Sequence, residues 1–139
     1  MVFFGEYQIN FSGSGRLLLP KKVRDLIKGN VFILTKGFGN CLSGYDKDDW
    51  EKRASELLNP SLLQPTDMDQ RRSIFSALAY LEIDDQGRFV IPKNLLEYGQ
   101  LKEKAVVIGV GDHFEVWDAK KWEEYTKNSK SKVQMSNVK

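Results

Sequence analysis

Gly87-Arg88-Phe89-Val90-Ile91-Pro92-Lys93 restates Gly15-Arg16-Leu17-Leu18-Leu19-Pro20-Lys21 at a fixed distance, since 15 to 87 and 21 to 93 are both 72 positions. In each copy a glycine turn delivers an arginine to the mouth of a short apolar strand. A proline that can open a helix then ends the strand. The motif therefore predicts two equivalent turns, each presenting one arginine.

The match continues on both sides, which separates a duplication from coincidence. Ile9 to Arg16 and Leu81 to Arg88 both run from an apolar residue through a polar turn to Gly-Arg. Gly37-Phe38-Gly39-Asn40 returns as Gly109-Val110-Gly111-Asp112. Tyr45-Asp46 and Trp50-Glu51 return as Trp117-Asp118 and Trp122-Glu123. Residues 1–60 form a first repeat with its terminal helix, 61–80 a connecting helix, 81–126 a second repeat and 127–139 a basic tail.

A unit of about 70 residues rarely stabilises itself without disulfides or a metal. This chain has one cysteine, Cys41, and one histidine, His113, among 139 residues. An intrachain disulfide and a Cys/His zinc set are therefore both excluded. The two repeats must complete a shared core with each other or with further subunits.

The formal net charge is only +2, but basic residues gather on the repeated element. Arg16, Lys21, Lys22, Arg24 and Lys28 stand against Asp25 in the first copy. Arg88, Lys93, Lys102 and Lys104 stand against Glu97 and Glu103 in the second. No run of residues approaches a membrane span, and the short apolar start lacks the basic residues of a signal peptide. A soluble cytoplasmic protein with no small-molecule substrate is expected.

In chain order, Glu6 to Phe11 alternates as a strand, Ser12 to Gly15 forms a turn and Arg16 to Leu19 returns. Pro20 opens a helix that Gly29 ends. Val31 to Thr35 and Cys41 to Tyr45 form a hairpin around Gly37 to Asn40. Asp46 caps a helix over Asp48 to Leu58, broken at Pro60. Two prolines mark Asn59 to Pro65 as the connection. Thr66 and Asp69 resemble a capping box for a helix reaching Tyr80. The second copy restarts at Leu81 and ends in a helix capped by Asp118. The lysine-rich residues after Tyr125 predict disorder.

These residues carry a family resemblance. The Phe-x-Gly-x-Tyr type start, the doubled Gly-Arg-apolar-Pro element and the Trp-Asp before the last helix resemble the MraZ family of bacterial transcription regulators, from Met1 to about Tyr125. The most specific mark is an Asp-x-x-x-Arg motif, present as Asp84-Asp85-Gln86-Gly87-Arg88. The first copy departs from it, with Ser12-Gly13-Ser14-Gly15-Arg16. The resemblance implies an α+β, mainly β fold. Two tandem AbrB-like repeats would form an intertwined small β-barrel, of swapped-hairpin or double-psi type, with short peripheral helices. It further implies ring-like homo-oligomers that bind double-stranded DNA at repeated operator sites upstream of the cell-division and cell-wall gene cluster. It also implies a location at the nucleoid, with no cofactor and no catalytic activity.

The resemblance assigns DNA contact to Arg16 and Arg88, with Ser12, Gly15, Asp84 and Gly87 shaping their turns. Charge and position extend the surface to Lys21, Lys22, Arg24 and Lys93. Asp84 can accept a charge-assisted bond from Arg88, and shielding of that turn by the adjoining repeat would leave the pair partly buried. Independently of the family, arginine on a glycine turn suits bidentate contact with guanine edges or phosphates, and nearby lysines suit phosphates. Basic surface residues are common, so a plain solvated face is the competing reading. The duplication of the same basic turn favours the functional one. A different class, a protein-interaction module such as an AbrB-like antitoxin, usually pairs one such half with a partner-binding tail, whereas this chain has both halves.

Other candidates are weaker. Gly37-x-Gly39 and Gly109-x-Gly111 lack the third glycine and following helix of a dinucleotide site. Asp48-Asp49 opens a helix, where acids complement the dipole. His113 has no recognisable nucleophile beside it.

Overall fold

The computed structural model describes the backbone of residues 2–61 and 68–137, with their side chains except at 57, 59–61 and 129–137. In the first repeat β1 (Glu6–Asn10) and β2 (Arg16–Leu18) flank the glycine turn, and α1 (Lys21–Arg24) follows Pro20. The hairpin of β3 (Val31–Lys36) and β4 (Leu42–Asp46) then leads to α2 (Lys47–Ser61). After α3 (Met68–Ala77), the second repeat retraces this order through β5 (Ala79–Glu82), β6 (Arg88–Val90), α4 (Lys93–Gly99), β7 (Lys104–Gly109), β8 (Phe114–Asp118) and α5 (Ala119–Asn137).

Every pairing is antiparallel. A six-stranded sheet runs β1-β7-β8-β4-β3-β5, and β2-β6 forms a separate ribbon. The repeats are intertwined, because β1 pairs with β7 and β5 pairs with β3, so each repeat's first strand extends the other's hairpin. Exchanging the repeats maps the sheet order onto itself. The implied pseudo-two-fold axis passes between Ser43 and Glu115 in the sheet and between Leu17 and Phe89 in the ribbon, each pair being equivalents 72 apart.

The strands do not form the expected closed barrel. β1 and β5 are edges of the main sheet, and the ribbon shares no ladder with it. Pro20 and Pro92 lie just beyond the three-residue strands β2 and β6, and a proline lacks the amide hydrogen that would extend a ladder. The ribbon instead covers the sheet through side chains. Leu17, Leu19, Phe89 and Ile91 share one core with Phe32, Leu34, Leu42, Val107, Phe114 and Val116. Phe89 meets Phe32 edge-on, with ring centroids 4.9 Å apart, a favoured aromatic geometry.

On the opposite face of the sheet, Trp50 of α2 packs on Tyr45 at a centroid distance of 4.9 Å. Trp122 and Tyr125 of α5 pack on Trp117. Both helices start as the sequence predicts. The amide of Asp49 donates to Asp46 and that of Lys121 donates to Asp118, and these two capping carboxylates are buried.

Some element limits differ from expectation. β5 begins at Ala79 rather than Leu81, because Ala79 to Glu82 pairs with Val31 to Leu34 along an edge that β3 would otherwise leave open. α1 is a single turn, after which Leu26 and Ile27 donate to the carbonyls three residues back. α2 continues to Ser61, past Pro60. α5 reaches Asn137, where a disordered basic tail is expected. Once Trp122 and Tyr125 anchor the first turns, propagation adds one hydrogen bond per residue without a new nucleus. Residues 62–65 of the expected connection, and Thr66 of the capping box, lie outside the described residues.

Candidate nucleic-acid interface

Side chains alternate along the β2–β6 ribbon, and its register decides where the two arginines go. Leu17 opposes Phe89, and both point into the core. Arg16 opposes Val90 and Leu18 opposes Arg88, so these four share the outward face. Directly opposed residues have Cβ atoms ~4.5–5.5 Å apart, and diagonal neighbours roughly 7–8 Å. The arginines that the sequence singles out in separate repeats are thus brought together on one small ribbon.

Each glycine turn is held by the other repeat. The Ile91 amide donates to the Gly15 carbonyl and the Leu19 amide to the Gly87 carbonyl, both at 2.8 Å. Gly15 and Gly87 adopt φ of +73° and +85°, where an L side chain is disfavoured. They are tightly covered as well. A Cβ at Gly15 would stand 3.0 Å from the Ile91 carbonyl oxygen and from a Leu96 methyl, and one at Gly87 would run into the Arg24 guanidinium.

The second turn carries a built-in acceptor. Asp84 Oδ1 accepts from the amides of Gln86 and Arg88, both at 2.9 Å, and Asp84 Oδ2 accepts from Arg88 Nε at 3.1 Å. The Arg88 amide bond, with those of Gln86 and the Arg88 side chain, outweighs desolvation and holds the Asp84 carboxyl below its ordinary pKa. The pair is half exposed, with the Arg88 and Asp84 side chains 37% and 46% exposed, because the turn projects from the end of the ribbon. Asp84 therefore acts mainly as an organiser of the turn, and it holds Arg88 through Nε. In the first turn the Ser12 amide donates to the Arg16 carbonyl at 3.0 Å, the same closure that Asp84 makes with Arg88. Arg16 is exposed and makes no ion pair or side-chain hydrogen bond with the described residues.

The other basic candidates surround the ribbon unevenly. Lys21 and Lys93, equivalents by the 72-residue offset, are exposed at the starts of α1 and α4. Lys22 is exposed and places its Nζ 5.9 Å from the centroid of the exposed Phe4 ring. Arg24 reaches across to Gly87 in the other repeat's turn, the place that its equivalent Leu96 occupies over Gly15. The arginine turn of the second repeat is thus flanked by a second guanidinium that comes from the first. Sequence reasoning marks Arg24 as basic but misses this crossing, although the 72-residue offset pairs Arg24 with Leu96.

A second polar cluster, also missed, lies at the sheet end of the pseudo-axis. Arg53 of α2 bonds Asp112 at 2.8 Å, and His113 Nδ1 lies 2.7 Å from Asp112 Oδ1. His113 Nε2 lies 3.8 Å from Glu115, and its ring stacks on Tyr45 at 4.9 Å. Burial opposes protonation of His113, but hydrogen bonds and charges from Glu115 and Asp112 prevail and raise its pKa. Burial of Cys41, reinforced by the Glu115 charge, pushes its thiol up to about 12, which leaves it a poor nucleophile. The cluster ties the first repeat to the second. Among the described residues no group of three or more His, Cys, Asp or Glu is placed to hold a metal ion, and no helix is long and apolar enough to cross a membrane.

A duplicated β-rich chain whose halves jointly present two arginine turns defines a class of protein, and comparison with known sequences identifies the family. The family model described as "MraZ protein, putative antitoxin-like" matches twice, over residues 2–73 and 74–138. Proteins named transcriptional regulator MraZ are similar over most of the chain. That of Acetivibrio thermocellus is 42% identical over 128 residues, covering 90% of this chain and 87% of the relative. That of Finegoldia magna is 38% identical, covering 92% and 89%, and that of Syntrophomonas wolfei 37%, covering 94% and 90%. The chain belongs to the MraZ family.

Proposed function

We propose that this chain is a transcriptional regulator that binds double-stranded DNA through the outward face of the β2–β6 ribbon and its two glycine turns. The single observation that carries this reading is the ribbon register, which sets Arg16 and Arg88 of separate repeats on one exposed face with two-fold symmetry. A two-stranded ribbon fits the major groove, which is about 12 Å wide, and arginine there pairs bidentately with guanine. Lys21, Lys22, Arg24 and Lys93 take phosphates and set register. The regulator names of the relatives support the same reading.

One chain offers one ribbon, so short repeated operator sites are held tightly only when several subunits engage together through effective concentration. A closed, ring-like homo-oligomer acting at the nucleoid, on operators upstream of the cell-division and cell-wall genes, follows from the family resemblance. Selection of duplexes from a random pool by the full chain tests the proposal. Enrichment of a short recurrent sequence is expected, and retention of DNA without sequence enrichment would count against it.

A further inference from the structure

The basic face contains two large apolar side chains that the arginine reading does not use. Leu18 is 47% exposed and Val90 51% exposed, although their strand neighbours Leu17, Leu19, Phe89 and Ile91 are all buried. The register places Leu18 directly against Arg88, and Val90 directly against Arg16. The outward face is therefore a square of two guanidinium groups on one diagonal and two aliphatic groups on the other. Leu18 and Val90 are themselves equivalents, so the square has the ribbon's two-fold symmetry.

Scattered exposed aliphatics are ordinary on protein surfaces. These two are not scattered, since each stands directly opposite an arginine on the ribbon, where an apolar protein partner would have to desolvate the adjoining arginines. Duplex DNA suits both components at once. In the major groove the acceptors of guanine suit arginine, and the methyl of thymine is the apolar group that a base edge presents there.

We infer that Leu18 and Val90 are specificity-determining residues that pack against thymine 5-methyl groups beside the guanines taken by Arg88 and Arg16. The inference rests on the DNA-binding reading above and deepens it. Ribbon symmetry then requires the preferred site to carry thymines at two symmetrically disposed positions, each next to a guanine contact.

The test removes the methyl without disturbing the protein. A duplex enriched from a random pool by the full chain is resynthesised with each thymine replaced in turn by deoxyuridine, and Kd is measured by fluorescence anisotropy at fixed salt. Loss of one buried methyl should weaken binding about fourfold, from about 0.8 kcal/mol per methylene-sized group, at two symmetric positions. For Leu18→Ala/Val90→Ala the same replacements should have no effect, while the arginine-dependent preference for guanine persists. Indifference of the wild type to every deoxyuridine overturns the inference and leaves the DNA-binding reading standing. An enriched site lacking thymine, or a penalty unchanged in the double variant, overturns it likewise. A change of subunit number in the double variant, with the penalty intact, assigns the two residues to an interface between copies instead. Failure to enrich any sequence removes the DNA-binding reading and this inference with it.

Discussion

Leu17 and Phe89 occupy the same position in the two repeats and face each other across the β2–β6 ribbon, 0% and 3% exposed. The duplication thus meets itself at the centre of the core. Phe89→Ala should cost about 3–5 kcal/mol and Leu17→Ala about 2–5 kcal/mol. Because β1 and β5 are each paired with the other repeat, both variants should unfold in one transition that fluorescence and circular dichroism report together. Two separable transitions, one per repeat, would contradict the shared core.

Gly44 opposes Phe114 in the pairing of β4 with β8, and a Cβ at Gly44 would strike the fully buried Phe114 ring. The equivalent of Gly44 is Val116, so space rather than backbone freedom requires glycine here. Gly44→Ala should destabilise by about 1–3 kcal/mol through overpacking. Combining it with Phe114→Leu should recover part of that loss in the urea midpoint.

The His113 cluster makes stability depend on pH. The folded pKa of His113 is raised above 6.5, so its contribution is complete below 6.5 and fades as pH rises through the raised value. Asp112 and Glu115 are lowered from 3.8 and 4.5. For Asp112 the His113 hydrogen bond leads, and for Glu115 the bonds from His113 and Trp117 outweigh desolvation. Their contributions are present above those ordinary values and are lost as pH falls through the lowered ones. Thermal unfolding should therefore separate wild type from His113→Gln more at pH 6 than at pH 9. An equal separation would show that the histidine acts by packing alone.

How far the sequence reveals this arrangement depends on the range of the forces involved. The two turns, the strands beside them and the caps at Asp46 and Asp118 follow from local chemistry repeated 72 residues apart, and all are legible. The start of β5 is not, because Leu78 to Tyr80 fits either period until β3 offers an edge. The crossing of Arg24 to Gly87 and the open ladder depend on how the halves dock, which no local pattern records. Exposure of Asp84 is equally hidden, since only tertiary structure shows that Arg24 covers Gly87 while the Asp84 side chain stays 46% exposed.

That exposure changes what Asp84 should do. Asp84→Ala should scarcely move the urea midpoint but should free the Arg88 side chain, which loses its Nε acceptor. Ser12→Ala should leave Arg16 as mobile as before. Nitrogen-15 relaxation at arginine Nε should show Arg88 more ordered than Arg16 in the wild type and similar to it in Asp84→Ala. Equal mobility of the two arginines in the wild type would show that the aspartate carries no organising role.

The central claim is that Arg16 and Arg88 specify while the surrounding lysines anchor. The most direct measurement is the ratio of affinities for a selected duplex and a scrambled one, across a salt series, for wild type, Arg16→Ala/Arg88→Ala and Lys22→Ala. The double arginine variant should lose most of the ratio, keeping only the share that thymine contacts by Leu18 and Val90 supply. Lys22→Ala should weaken both duplexes alike and make the log-log salt dependence shallower by about 0.9, since one phosphate fewer is neutralised. A double arginine variant that keeps the full ratio would contradict the account.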